Sequence, residues 1–218
     1  MGAYNHRMIN QYSRNYKPPV TKDEMIAFEA DIASEFNNGR IPHPVHLSGG
    51  NEDQLLKIFK EFQFGDFVFS TWRNHLHGLL AGIPPEEVKR QIMDGRSMTV
   101  CSPEHNFFAS AIVGGCIPIA LGVAWQLKRE NKENRVWLFL GDMGAMTGMA
   151  YECSNYARWH GLNLYIVVED NKKSVCTDTK SAWGSSYQNS PAKHLIANRD
   201  YEFTLPFPHA GAGKRVNF

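Results

Sequence analysis

The sequence predicts an α/β fold in three layers, a parallel β-sheet flanked by helices. Two observations carry this expectation. Residues 136–140 (VWLFL) and 164–168 (LYIVV) are fully apolar runs bounded by turn signals, the pattern of strands buried on both faces. Between them lie a glycine turn and a helical segment, residues 147–160, that ends at Gly161. Strand, turn, helix and strand in that order spell a right-handed βαβ unit.

The other elements follow along the chain. Residues 1–20 read as an arm, with Ile9, Tyr12 and Tyr16 able to pack on a neighbour. Thr21-Lys22-Asp23-Glu24 reads as a capping box, since the Thr21 hydroxyl can accept from the Glu24 amide while the Glu24 carboxylate reaches back. The helix it opens carries Met25, Ile26, Phe28, Ile32 and Phe36 at helical spacing and ends at Asn38-Gly39. Residues 40–50 form a loop with two prolines, two histidines and a Gly pair. Residues 51–62 read as a helix and 66–70 as a short strand. Residues 72–82 mix polar and apolar side chains and hold Arg73, His75 and His77. Pro84-Pro85-Glu86-Glu87 opens another helix, with acids in the first turn where the macrodipole favours them, and Gly95 closes it. Residues 97–109 form a long irregular segment, a class that is often functional. A helix then runs from Gly114-Gly115 to about Glu130. From Asp178 onward the pattern dissolves. The expected division is an arm at 1–20, one domain at 21–180, and a tail at 181–218 packed on that domain or on a partner.

Composition bounds the function classes. Of 218 residues, 43% are hydrophobic and 21% charged, which fits a globular chain with a real core. Lys+Arg is 23 against Asp+Glu 22, so no general basic field serves nucleic acid or an anionic membrane. Four cysteines without a C-x-x-C pair argue against a zinc ribbon or a disulfide scaffold and for a reducing, cytoplasmic setting. The first 20 residues lack the apolar core of a secretory signal. The longest apolar stretch, residues 109–125, is broken by Ser110, three glycines and Pro118, which argues against a membrane span.

The informative chemistry lies at residues 141–171. Asp142 directly follows a buried strand, and parallel sheets bind ligands at the carboxyl ends of their strands. The turn Gly141-Asp142-Met143-Gly144 opens a helix whose free N–H groups favour a phosphate. The Asp142 carboxylate would repel that phosphate unless a divalent cation lay between them, and Mg²⁺ commonly joins carboxylates to phosphate oxygens. Asn171 lies just past the next strand and can offer an oxygen to the same ion, with Asp170 as an acidic alternative. The competing reading makes Asp142 a plain helix cap. A Rossmann fingerprint would need glycine at Met143, and no Walker Gly-Lys-Ser/Thr occurs.

The run GDMGAMTGMAYECSNYARWHGLNLYIVVEDNKKSVCT resembles the thiamine diphosphate motif that begins GDG and ends NN. It is most similar to the version found in α subunits of 2-oxo acid dehydrogenase E1 components. Matching elements are Gly141-Asp142, Gly148, Glu152, Asn155, Ala157 and Glu169-Asp170-Asn171. The likeness extends backward through Arg40-Ile41-Pro42, His46-Leu47-Ser48, Gly50-Asn51-Glu52, the segment from Phe69 to His75, and Ala111-Ile112-Val113-Gly114 with Pro118, so it covers about residues 20–180. It implies a thiamine diphosphate-binding fold with thiamine diphosphate and Mg²⁺ as cofactors. Asp142 and Asn171 would ligate Mg²⁺ with the backbone carbonyl of Lys173, and Arg73 would pair with the diphosphate beside Trp72. Gly141, Gly144 and the Met143 amide would approach the phosphates. Ala111 and Val113 would hold the aminopyrimidine through their backbones. His46, His75 and His105 match or neighbour the family's catalytic histidines; a loop or phosphate-contact role is the alternative for each.

The resemblance also implies a partner. In this family the glutamate that assists proton transfer comes from a β-type, pyrimidine-binding subunit, so half an active site in an α₂β₂ assembly is expected, with a 2-oxo acid as substrate. A split transketolase-like transferase acting on sugars and a non-catalytic cofactor-binding regulatory subunit are the competing readings. The helix at 147–160 has a small-residue face (Gly148, Ala150, Cys153, Ser154, Ala157) that suits either close packing on another helix or an ordinary core. The departures are Met143 for a glycine, Trp72 for a tyrosine, Asn74 for an aspartate, a chain much shorter than the family's, and no clear counterpart of its phosphate-binding histidine loop. His209, in Pro206-Phe207-Pro208-His209, is the available substitute.

Overall fold

The computed structural model describes residues 16–184 and 199–213, so Ile9 and Tyr12 of the arm, and residues 185–198 and 214–218 of the tail, lie outside the described residues. Helix α1 (Lys22–Asn37) starts with the expected capping box: Thr21 accepts from the Glu24 amide at 3.3 Å, and the Thr21 amide donates to the Glu24 carboxylate at 2.7 Å. Helix α2 (Glu52–Phe59) is shorter than the sequence suggests. Strand β1 (Phe67–Ser70) follows, then helix α3 (His75–Leu80), which the mixed polarity of residues 72–82 concealed. Helix α4 (Pro85–Gln91) continues into a wide π turn that Gly95 (φ 82°) ends. The irregular segment expected at 97–109 contains strands β2 (Cys101–Ser102) and β3 (Phe107–Ala109). Helix α5 (Cys116–Arg129) and strand β4 (Val136–Gly141) come next. The turn after β4 forms the brief helix α6 (Asp142–Ala145), and α7 (Gly148–Trp159) starts separately under a Thr147 cap. Strand β5 (Leu164–Asp170), the hairpin β6 (Lys173–Ser174) and β7 (Thr177–Asp178), helix α8 (Thr179–Trp183) and strand β8 (Arg199–Glu202) complete the described elements.

The central sheet has the order β2-β3-β1-β4-β5-β8. Only β2 is antiparallel; β3, β1, β4, β5 and β8 run parallel. Side chains alternate between two cores, as period-2 geometry requires. Val68, Phe107, Trp137, Phe139 and Val167 face α1 to α4, while Phe69, Val136, Leu138, Leu140, Ile166 and Val168 face α5 and α7. The three-layer α/β expectation is met. Strand β8 emerges from the stretch where the sequence pattern dissolves, because its register on β5 is set by the sheet edge and not by its own polar sequence.

The small-residue face of α7 turns inward. Ala150, Cys153, Ser154 and Ala157 are buried, with α5 and the sheet as their neighbours, so that face is ordinary core and not a helix-docking surface. The four cysteines are unpaired. Among the described residues no helix is long and apolar enough to cross a membrane.

Candidate functional site

The carboxyl ends of the parallel strands surround one cavity of about 300 Å³. β1 delivers Thr71, Trp72 and Arg73; β3 leads to Val113 and Gly114; β4 delivers Gly141, Asp142, Met143 and Gly144; β5 delivers Glu169 and Asn171; β8 leads to Phe203 and His209. The α8 and hairpin segment adds Lys173, Ser174, Val175 and Trp183. Parallel strands put their last residues side by side, which is why residues far apart in sequence meet here.

Asp142 is 2% exposed, and its Oδ2 accepts from the Thr179 hydroxyl at 2.6 Å. Burial holds its carboxyl well above the usual carboxylate range; the Thr179 bond works against this and the charge of Asp170 adds to it. Asn171 Oδ1 accepts from the Lys173 amide at 3.0 Å, and Asp170 Oδ1 accepts from the Lys172 amide at 2.8 Å. Lys172 turns the chain with φ 59°, bringing the 171–173 backbone round beside Asp142. Among the described residues no group of three or more His, Cys, Asp or Glu is arranged to hold a metal. The Asp142 carboxylate and the Asn171 amide oxygen both belong to residues of the cavity wall, and oxygen donors of this kind would suit a hard cation such as Mg²⁺.

Arg73 supplies the opposite charge. Its Nη1 donates to the Leu47 carbonyl at 2.6 Å and its Nη2 to the His209 carbonyl at 2.9 Å. Burial lowers its pKa to about 10, so it stays cationic at neutral pH. The charges of Glu29 and Glu169 offset part of that burial. Its partners are these two carbonyls and the His209 ring Nδ1 at 3.4 Å, none of them an anion, and a guanidinium so placed at a cavity wall is suited to one.

The three histidines singled out from sequence part company. His46 is buried behind the cavity wall, its Nδ1 donating to the His209 carbonyl at 2.7 Å, with Trp72 and His209 ring to ring beside it. Burial lowers its pKa to about 4. His75 is fully buried and both nitrogens are engaged, by Glu29 at 3.2 Å and the Ser97 hydroxyl at 2.9 Å. It is a core histidine and does not face the cavity. His105 precedes β3, at the amino end of the parallel strands, with its Nδ1 2.7 Å from the Ser102 hydroxyl. That places it toward the opposite end of the parallel strands from the cavity, and it is not among the residues that line it. Ala111 is half-buried and not part of the cavity lining, whereas Val113 is.

Met143 stands where the resemblance expects glycine, yet it lies inside α6 and is not among the residues with positive φ. The position therefore needs none of glycine's freedom. A Cβ added at Gly141 would meet no protein atom within 4 Å, so the space beside it is open.

Glu169 carries the feature that sequence reasoning missed. Its Oε1 accepts from His77 Nε2 at 3.1 Å, from Asn51 Nδ2 at 3.2 Å and from the Tyr201 hydroxyl. His77 Nδ1 lies 2.7 Å from the Ser70 hydroxyl, and the ring stacks on Phe139 at 4.2 Å. Burial pushes the Tyr201 phenol well up, so it keeps its proton and donates it. Only the alternation along β5 signalled this inward acid, since Glu169 follows Val167 on the same face.

Residues 21–194 match the family described as Dehydrogenase E1 component. A Rickettsia conorii protein named pyruvate dehydrogenase E1 component subunit alpha is 31% identical over 182 residues, covering 74% of this chain and 55% of that protein. The protein of the same name from Porphyra purpurea is 32% identical, with 82% and 55% covered. The chloroplastic subunit alpha-3 of Arabidopsis thaliana is 30% identical, with 91% and 51% covered. The chain thus spans about half the length of the curated relatives it matches. With its parallel-sheet architecture and a family match running from α1 past α8, the chain belongs to the dehydrogenase E1 component family.

Proposed function

We propose that this chain is the diphosphate- and Mg²⁺-binding part of a thiamine diphosphate-dependent enzyme of the 2-oxo acid dehydrogenase E1-α type. The observation that carries the reading is the convergence of Arg73, Asp142, Asn171 and His209 on one cavity at the strand ends. Asp142, Asn171 and the Lys173 carbonyl would hold the cation. Arg73 would hold the diphosphate, with His209 as the histidine of the missing phosphate loop. Bound there, thiamine diphosphate would supply the nucleophilic and electron-storing chemistry that decarboxylation of a 2-oxo acid requires.

The protein's own part is charge and position. Arg73 supplies the positive charge, and its double anchor on Leu47 and His209 fixes the guanidinium plane before any anion arrives. Asp142 is oriented by its hydrogen bond from Thr179, and a cation held there would offset its repulsion of the anion. His46 is neutral at pH 7 and serves to orient the His209 segment. A general acid or base for the chemistry is therefore assigned to a β-type partner, which also completes the pyrimidine side of the site. The exposed apolar side chains Ile112, Val113 and Met149, on segments whose neighbours Gly114 and Thr147 line the cavity, suit burial under such a partner. The α₂β₂ assembly, the cytoplasmic setting and the domain bounds 21–180 belong to the same reading.

Calorimetric titration of thiamine diphosphate, with and without Mg²⁺, tests it on this chain alone and with the β-type chain added. Mg²⁺-dependent binding and turnover of a 2-oxo acid are expected with the pair. Absence of binding in both samples overturns the reading.

A further inference from the structure

The geometry points to Thr179 as the residue that positions Asp142 and clasps the 172–183 segment over the cavity. Thr179 is 1% exposed and makes two ties in opposite directions. Its hydroxyl donates to Asp142 Oδ2 at 2.6 Å, the end of β4. Its amide donates to the Lys172 carbonyl at 3.1 Å, just past the end of β5. One residue thus spans the two strand ends that carry the candidate cation ligands.

The segment has little else of its own to hold it. β6 and β7 pair through two residues each, Lys173 with Asp178 and Ser174 with Thr177. A two-stranded hairpin is marginal in water, and α8 has five residues, too few to be stable alone. Yet this segment places Lys173, Ser174, Val175 and Trp183 in the cavity wall. A buried, charge-assisted hydrogen bond at its centre is the device that can fix it there. In return the bond restricts the orientation of the Asp142 carboxylate at the cavity wall. The clasp stands on this geometry alone; its role in holding a cation rests on the function proposed above.

The test uses the full chain with Thr179→Val, Thr179→Ser, Asp142→Ala and the Val/Ala double variant. Amide hydrogen exchange is followed across residues 173–183, and Mn²⁺ binding is followed by electron paramagnetic resonance with inorganic pyrophosphate present. Thr179→Val is expected to raise exchange in the segment about tenfold, with Thr179→Ser within about twofold of the parent. In the Asp142→Ala background, Thr179→Val is expected to add nothing, because the two residues act through one bond. Unchanged exchange in Thr179→Val, equal effects of Val and Ser, or additive effects in the double variant would each overturn the clasp. For the cation, about tenfold weaker Mn²⁺ binding in Thr179→Val is expected. Equal Mn²⁺ affinity in parent and Thr179→Val overturns the positioning role. A parent that binds no Mn²⁺ overturns the metal assignment of the site, while the exchange data still decide the clasp.

Discussion

Arg73 donates from Nη2 to the backbone carbonyl of His209 at 2.9 Å, across 136 residues of chain. The same carbonyl accepts from His46 Nδ1 at 2.7 Å. Two side chains from the early half of the chain therefore fix a loop from its far end. The backbone repeats the tie: the Gly211 amide donates to the Val45 carbonyl at 2.9 Å. This junction puts a histidine and a guanidinium on one cavity wall, and it makes the candidate anion site depend on the polypeptide after β8.

Arg73→Met keeps most of the stem and removes the charge and both anchors. Diphosphate affinity should fall by about 10- to 100-fold, the size of a lost charge-assisted pair. Titration with thiamine diphosphate and Mg²⁺ reads this directly. Unaltered affinity would remove Arg73 from the site.

Asp142→Ala should abolish Mg²⁺-dependent cofactor binding while leaving the sheet and its flanking helices intact, with only the 172–183 segment loosened. The carboxylate is buried beside Asp170, so its removal relieves desolvation and repulsion rather than opening a core. Circular dichroism should be unchanged. Retained Mg²⁺ dependence would refute the metal role.

His46 gives a pH signature. Burial lowers its pKa to about 4, against 6.5 for the ordinary imidazole. Below the ordinary value the unfolded chain takes up a proton that the folded chain refuses. Stability is therefore full above about pH 6.5 and is lost as pH falls toward 4, by about 2 kcal/mol at pH 5. Urea midpoints at pH 7.5 and 5 should fall more in the parent than in His46→Gln. Parallel losses would show that another group dominates the acid limb.

His77→Leu should destabilise the chain without touching the strand-end ligands. It strips a buried partner from both Glu169 and Ser70, which costs about 2–4 kcal/mol in buried polar groups left short of a partner. Chemical denaturation measures this, and a change below about 0.5 kcal/mol would mean that Asn51 and Tyr201 alone suffice for Glu169.

Much of this architecture is local physics and so was legible in the sequence. Two apolar runs of five residues can be satisfied only as strands buried on both faces, and the helix between them makes those strands parallel neighbours. The Thr21–Glu24 box closes within one helical turn, so four residues specify it. Asp142 and Asn171 follow those strands directly, and parallel pairing then forces them together. What the sequence left open depends on distant partners. β3 and β8 are short and carry no pattern of their own; only the strands beside them give them register. His75 and His105 look alike as loop histidines in a one-dimensional reading. Burial against Glu29 and Ser97 makes one a core residue, and strand direction puts the other at the amino end of the parallel strands, away from the cavity. His209 sits in a proline-rich stretch with no periodic signal, and only folding decides that Arg73 meets it. Short-range hydrogen bonds and hydrophobic periodicity are written in neighbouring residues; a contact across 136 positions exists only once the whole sheet has fixed where each strand ends.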